Sequence, residues 1–489
     1  MNPVFLIITI LFPVAAGIGI YMSGVKKYSM LWAAAFAVSI ITSAMVWLML
    51  IKGVSGQLDV LSFTELLIFS VRLDGPGRYF LGVISVLWPL TVLYARSYME
   101  HENNIPMFYG FFMVSYGVTV GIASAANIFT MYCFYEMLTL ATVILVIQPM
   151  NHLASRAARS YLIYSFGGAA LAFIAMAFII CTDSGGSFTP GGMLSANAVS
   201  KPDMARVFYI IGFLGFGVKA AVFPFYGWLP KAAVAPTPVT ALLHAVAVVK
   251  AGAFAVIRLT YYCFGTELLY GSFAQTAVLC ISAFTILFGS SMAVKETDWK
   301  RRLAFSTISN LSYILFAVSV MSEAGLTAAF LHISAHACIK ILSFFCAGAV
   351  LHQTGRRSIY ELDGIGHKMP VTFACFTFAA AALTGVPPFC GFISKWHILS
   401  AAAASGLPAA YMGAVVILFS AFLTAIYMFT TVRRAWFPDT AADTASLEGI
   451  READAAMLIP LVLLAVSTLA TGIGAGGIIA AASAAAAGV

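Results

Sequence analysis

The sequence predicts an all-α polytopic membrane protein, and three observations carry that expectation. Hydrophobic residues make up 61% of the 489 and charged residues only 9%, whereas a soluble domain carries about 25% charged residues to cover its water-facing surface. The apolar residues gather in stretches of about 20, the length that crosses a bilayer as a helix. Lys and Arg concentrate in alternate gaps between these stretches, the asymmetry that sets membrane orientation. A chain so poor in charge must place most of its exterior against lipid, which leaves no surface for nucleic acid.

Fourteen stretches qualify, near 3–22, 29–51, 76–97, 107–124, 126–149, 160–181, 206–235, 239–260, 274–294, 302–320, 326–352, 370–403, 409–433 and 456–476. The first is long enough to span and has no basic residue before it, so it reads as a membrane helix rather than a cleaved signal. The apolar piece near 60–72 is short and is expected as a re-entrant or surface segment. The stretch 370–403 is too long for one helix and could be two. One alternating set of loops holds most basic residues, among them Lys26, Lys27, Arg156, Arg159, Arg302, Arg356 and Arg357. The other holds Lys52, Arg72, Arg78, Lys201, Arg206 and Arg258. Cytoplasmic loops are the basic ones, so both termini are expected on the non-cytoplasmic side of a plasma or inner membrane.

Charges inside the stretches are few. Glu136 lies mid-span in helix 5, Lys219 in helix 7, Lys250 in helix 8, Lys340 in helix 11 and Lys395 in helix 12. His332, His336 and Lys340 are spaced i, i+4, i+8 and share a helix face. His244 precedes Lys250 by six residues, about 9 Å of helical rise. Intramembrane ionisable groups are costly and usually face a protein interior or wet cavity. Glu136 with Lys219 could be a static lock, His244 a satisfied interior histidine, and His332 with His336 a metal pair. Static pairing, however, leaves three lysines unpartnered, and no carboxylate or third histidine accompanies the pair. Desolvated lysines titrate readily and suit proton transfer.

Prolines interrupt two stretches. Pro224 follows Lys219 by five residues, and Pro387 and Pro388 precede Lys395. Proline removes a backbone donor, and interrupted spans are tolerated beside protein or water. Residues 224–231 (PFYGWLPK) and 388–395 (PFCGFISK) share P-F-x-G-aromatic-x-x-K. The two breaks lie five helices apart, and an odd repeat inverts its second copy in the membrane. The expected division is 1–106 (helices 1–3), 107–260 (first five-helix repeat), 274–433 (second, inverted) and 456–489 (helix 14). Eight cysteines form no C-x-x-C, and no G-x-G-x-x-G or P-loop occurs, so no cofactor or metal is expected on this chain.

The stretches 219–252 (KAAVFPFYGWLPKAAVAPTPVTALLHAVAVVKAG), 331–352 (LHISAHACIKILSFFCAGAVLH) and 383–396 (LTGVPPFCGFISKW) resemble the antiporter-like subunits shared by respiratory complex I, Mrp-type sodium/proton antiporters and membrane-bound hydrogenases. The resemblance covers about spans 4 to 13. It implies fourteen helices, inverted repeats at helices 4–8 and 9–13, and a hydrophilic axis at mid-membrane. Glu136, Lys219, Lys250, the His332/His336/Lys340 set and Lys395 match its span 5, 7, 8, 11 and 12 residues. Lysine at the last position resembles Mrp-type and distal complex I members. No long lateral helix is expected after helix 14, which favours a Mrp-like, hydrogenase-like or central complex I-like member. The implied function is proton or sodium translocation in a multisubunit complex. Partners would be further antiporter-like and small membrane subunits and, in a redox-driven complex, a peripheral redox arm. A Mrp-type antiporter without redox coupling and a non-translocating structural anchor are the alternatives.

Overall fold

The structure, a computed structural model, describes residues 1–182, 187–194, 201–438 and 447–487; the last two residues of the expected C-terminal segment fall outside these. It is built of helices, with one two-stranded hairpin among the described residues. Eleven helical stretches among them are long and apolar enough to cross a membrane. They include α1 (Val4–Met22), α2 (Tyr28–Lys52), α3 (Gly75–Tyr98), α4 (Ile105–Ala123), α5 (Ile128–Ile147) and α6 (His152–Thr182). The seventh expected span is α7 (Pro202–Gly217) and α8 (Trp228–Ala232), separated by turns. The eighth is α9 (Thr237–Ala245) and α10 (Val248–Arg258), continued by a π-helical turn at Leu259–Phe264.

Beyond the short α11 (Thr266–Leu269) come α12 (Phe273–Lys295), α13 (Trp299–Ser319) and α14 (Glu323–Thr354). The long twelfth stretch is two helices, α15 (Pro370–Thr384) and α16 (Cys390–Ala404), and α17 (Pro408–Trp436) and α18 (Ala455–Ile473) follow. A short α19 (Ala475–Ala486) then packs against α3 and α14. The expectation that nothing there forms a long helix stands beside this 12-residue one. The 60–72 piece, expected as a re-entrant or surface segment, is extended, and its first strand is largely exposed. Strands β1 (Gln57–Ser62) and β2 (Ile68–Arg72) pair antiparallel, and the Asn127 amide, which caps α5 at Thr130 N (2.7 Å), donates to Ile68 O and Ser70 Oγ, each at 2.8 Å.

Side-chain caps start several helices. Asp74 accepts from Gly77 N, Asp298 from Arg301 N and Ser322 from Gly325 N, each worth ~1 kcal/mol. The loops gather at two ends as the alternation of spans requires. At the hairpin end, the Met1 amine donates to Gly53 O, Arg72 to Phe188 O and Tyr270 to Ser405 O. At the opposite, basic end, Lys300 donates to Ala235 O, Trp299 N to Arg357 O and Thr372 to a Glu452 carboxylate oxygen. The chain is a multi-pass membrane protein.

Burial divides the spans into two kinds. Helices α1, α2, α17 and α18 show large apolar side chains outward, as lipid-facing surfaces do. Every residue from Thr237 to Phe264 is buried, and α14 is buried along most of its length. Those two segments carry His244, Lys250, His332, His336 and Lys340.

Candidate functional site

The break between α7 and α8 begins earlier than Pro224 requires. Helix α7 ends at Gly217, so Lys219 lies inside the break rather than on a helix. Ala221, at φ 55, holds a left-handed conformation that a non-glycine residue rarely takes. The Lys219 ammonium lies 3.6 Å from Glu136 Oε1, 3.3 Å from the centre of the Tyr135 ring, and donates to Tyr135 O. Lys219 is 1% exposed and Glu136 22%. One partner is enclosed and the other reaches the flank of the molecule.

Helix α10 closes against this break through Gly252. An added Cβ there would sit 2.9 Å from Lys219 Cβ and 2.7 Å from Ala220 N, so only glycine permits the approach. Lys250, two residues earlier, lies about 200° around the helix from Gly252, so its side chain leaves α10 on the side away from the Lys219 segment. Lys250 Nζ is hydrogen-bonded to His336 Nδ1 on α14. His336 and His332 face each other with ring centres 5.9 Å apart, and His332 Nδ1 meets Ser394 Oγ at 3.0 Å. Ser394 precedes Lys395, whose ammonium donates to Leu383 O at 2.6 Å and Thr384 O at 3.0 Å. Those are terminal carbonyls of α15, left free by the break at Pro387 and Pro388. The structure thus brings Lys250, His336 and His332 together, with Ser394 beside Lys395 at one end, and holds Glu136 and Lys219 as a pair on the far side of α10.

Two expectations change. His244 and Lys250 are not on one helix: the backbone breaks at Val246 and Ala247, so the 9 Å rise does not apply. His244 is buried against Phe344 with neither ring nitrogen bonded to protein. Lys340 lies close enough to Lys395 for the two charges to act on each other, but its hydrogen bonds go elsewhere. It turns aside to Leu303 O at 3.1 Å and Ser306 Oγ on α13. Each i+4 step rotates about 40°, so by the second step a different neighbouring helix is faced.

Sequence reasoning missed two buried arginines that it had counted with the loops. Arg258, 0% exposed, grips Asp74 with both Nη atoms at 2.5 and 2.6 Å, joining α10 to the cap of α3. Arg302, 4% exposed, donates to Glu296 O, Val294 O and Tyr427 O. Both lie near span ends, where counting residues cannot separate loop from interior. At the basic end a cavity of about 230 Å³ is lined by Tyr98, Glu102, Asp298, Lys300, Leu351 and Arg357. Burial pushes the Glu102 carboxyl above its ordinary value, and Lys300 pulls it partly back. Among the described residues no group of His, Cys, Asp and Glu could hold a metal ion.

Residues 125–424 match the family described as NADH:quinone oxidoreductase/Mrp antiporter, transmembrane. The N subunit of the NADH-quinone oxidoreductase of Desulforudis audaxviator is 30% identical over 408 residues, 81% of this chain and 78% of the relative. The A/B subunit of a probable K+/H+ antiporter of Rhizobium meliloti is 34% identical over 329 residues, 67% of this chain. The A subunit of a Na+/H+ antiporter of Alkalihalophilus pseudofirmus is 33% identical over 346, also 67% of this chain. The chain spans only 32% and 42% of those two antiporter subunits. The fold is shared with a chain of the Mrp complex from Dietzia sp. (TM-score 0.85, 21% identity, 98% of this chain and 96% of the other). It is equally shared with a chain of an archaeal membrane-bound sulfane sulfur reductase (0.85, 22%, 98% and 96%). The chain belongs to the transmembrane family of NADH:quinone oxidoreductase and Mrp antiporter subunits.

Proposed function

We propose that this chain moves protons along a buried file from His244 to Lys395, as one membrane subunit of a larger complex. The observation that carries the reading is the contact of Lys250 with His336 inside segments closed off from lipid. An amine bonded to an imidazole in the interior, rather than to a carboxylate, is a place to pass a proton and not a lock. The buried Nε2 atoms of His332 and His336, and both nitrogens of His244, have no protein partner. An unbonded buried polar group costs about 1–3 kcal/mol, and such groups bond water where there is room. Glu136 holds the Lys219 charge when close and releases it when apart. Protons arrive from the basic end past His244, pass Lys250, His336 and His332, and reach Lys395.

The same reading divides the chain into 1–106, 107–260, 274–433 and 456–489, with fourteen helices and inverted repeats around the breaks. It places the basic end in the cytoplasm of a cell membrane and both termini opposite. The driving force comes from partner subunits: a redox arm in a reductase-type complex, an ion gradient in a Mrp-type one. The relatives carry both kinds of name, so the subunit composition of the purified native complex decides between them.

The test is coupled ion movement by that complex in sealed vesicles. Lys219→Ala and Lys395→Ala should abolish it while the complex still assembles. Assembly with transport intact would make the chain a structural anchor.

A further inference from the structure

Lys340 opens onto a second polar path that the file from His244 to Lys395 does not use. Its ammonium is bonded to Ser306 Oγ. Ser306 and Asn310 lie near the Tyr427 hydroxyl on α17, which donates to Thr424 Oγ1 at 3.2 Å. The Asn310 Oδ1 atom is buried without a partner. These groups form a hydroxyl and amide pocket between α13 and α17, attached to a buried amine. Ser306 lies seven residues, about 10 Å of rise, from the start of α13 at the basic end.

One residue stands between that pocket and the basic end on the same helix face. Arg302 precedes Ser306 by one turn. Its guanidinium is held by three backbone carbonyls, Glu296 O at 2.8 Å, Tyr427 O at 3.0 Å and Val294 O at 3.4 Å. The nearby Glu296 carboxylate pairs with Arg301 at 3.2 Å instead. Two of the three carbonyls belong to the C-terminal end of α12 and the residue after it, where carbonyls favour a cation. The cavity at the basic end is lined by Asp298, Trp299, Lys300 and Arg301, so solvent-accessible space comes within one turn of Arg302.

We propose that Arg302 is an electrostatic plug: a fixed cation that keeps protons in the Lys340–Ser306–Tyr427 pocket from short-circuiting to the basic end. The inference rests on the proton-file reading above. Protons that enter at the basic end and are handed on to Lys395 must not find a second way back to that end, and a hydroxyl chain one turn from solvent is the weak point. An arginine lining a narrow polar path raises an electrostatic barrier against protons. A unit charge about 10 Å away at an effective dielectric of about 20 is worth roughly tenfold in rate.

The experiment uses the purified native complex in sealed phospholipid vesicles with no driving substrate. A potassium/valinomycin potential is imposed and passive proton influx is read with a trapped pH dye. Wild type and Arg302→Lys should stay tight, while Arg302→Gln should admit protons about tenfold faster. That excess should vanish in Arg302→Gln/Tyr427→Phe and in Arg302→Gln/Lys340→Met. Arg302→His gives a second reading, since it carries charge only below its ordinary pKa of about 6.5: influx relative to wild type should rise from low to high pH. Unchanged influx in assembled Arg302→Gln, an excess that survives both second substitutions, or a flat profile for Arg302→His would each overturn the plug. Passive leak needs no turnover, so it fails separately from the file. Lost driven transport in Lys219→Ala and Lys395→Ala beside a tight Arg302→Gln would refute the plug alone.

Discussion

The two broken spans carry the same eight-residue pattern and hold their lysines by different means. In the first, the motif lysine, Lys231, is exposed and donates to Ser160 Oγ at 3.4 Å. The buried amine is Lys219, upstream and inside the break, and its partner is the Glu136 carboxylate. In the second, the motif lysine is itself buried: Lys395 is held by Leu383 O and Thr384 O, with no carboxylate within ion-pair distance among the described residues. One cation is balanced by a carboxylate on a neighbouring helix, the other by the dipoles of a helix end. Local sequence likeness fixes the backbone break but not which amine the break serves.

Substitutions can sharpen that contrast. Lys219→Met should abolish coupled transport and also strip the counter-charge from Glu136. Breaking a buried pair costs about 3–5 kcal/mol, and the partial exposure of Glu136 puts this one at the low end or below. Lys395→Met should abolish transport equally but lower the melting temperature of the detergent-purified complex far less, since a cation at a helix end is worth about 0.3–2 kcal/mol. Equal stability losses would erase the distinction. Gly252→Val comes next. Its side chain would press on Lys219 and Ala220, and overpacking costs about 1–3 kcal/mol, so reduced stability and slower transport are expected together.

Glu136→Gln turns the first break into a copy of the second, with a neutral partner. Driven transport should slow while assembly holds, and a wild-type rate would show that the carboxylate does not govern Lys219. The smallest effect belongs to Lys231→Gln. An exposed polar contact is worth within about 0.5 kcal/mol, so stability and transport should both match wild type. A large transport loss would instead make the two motif lysines equivalent.

Much of the site was legible because charge is rare in apolar stretches: Glu136, Lys219, Lys250 and Lys395 are conspicuous without any structure. The prolines marked both breaks for the same reason, by their missing donors. The break between α9 and α10 was not legible, since Val246 and Ala247 carry no proline or glycine signal. Nor was the role of Ser394 or Ser306, because hydroxyl side chains are common in spans and only their neighbours distinguish them. The side turn of Lys340 depends on which helix faces α14 at that depth, a tertiary fact. Strands β1 and β2 were hidden because a short apolar piece beside a membrane span fits several structures equally well.

The central claim is that one connected file of protonatable groups crosses the interior, and Lys250 lies in its middle. Driven proton movement by the native complex carrying Lys250→Met, in sealed vesicles, tests it most directly. The file predicts an assembled complex with its end residues in place and no coupled transport. Transport at the wild-type rate would mean that protons never pass through the Lys250–His336 contact.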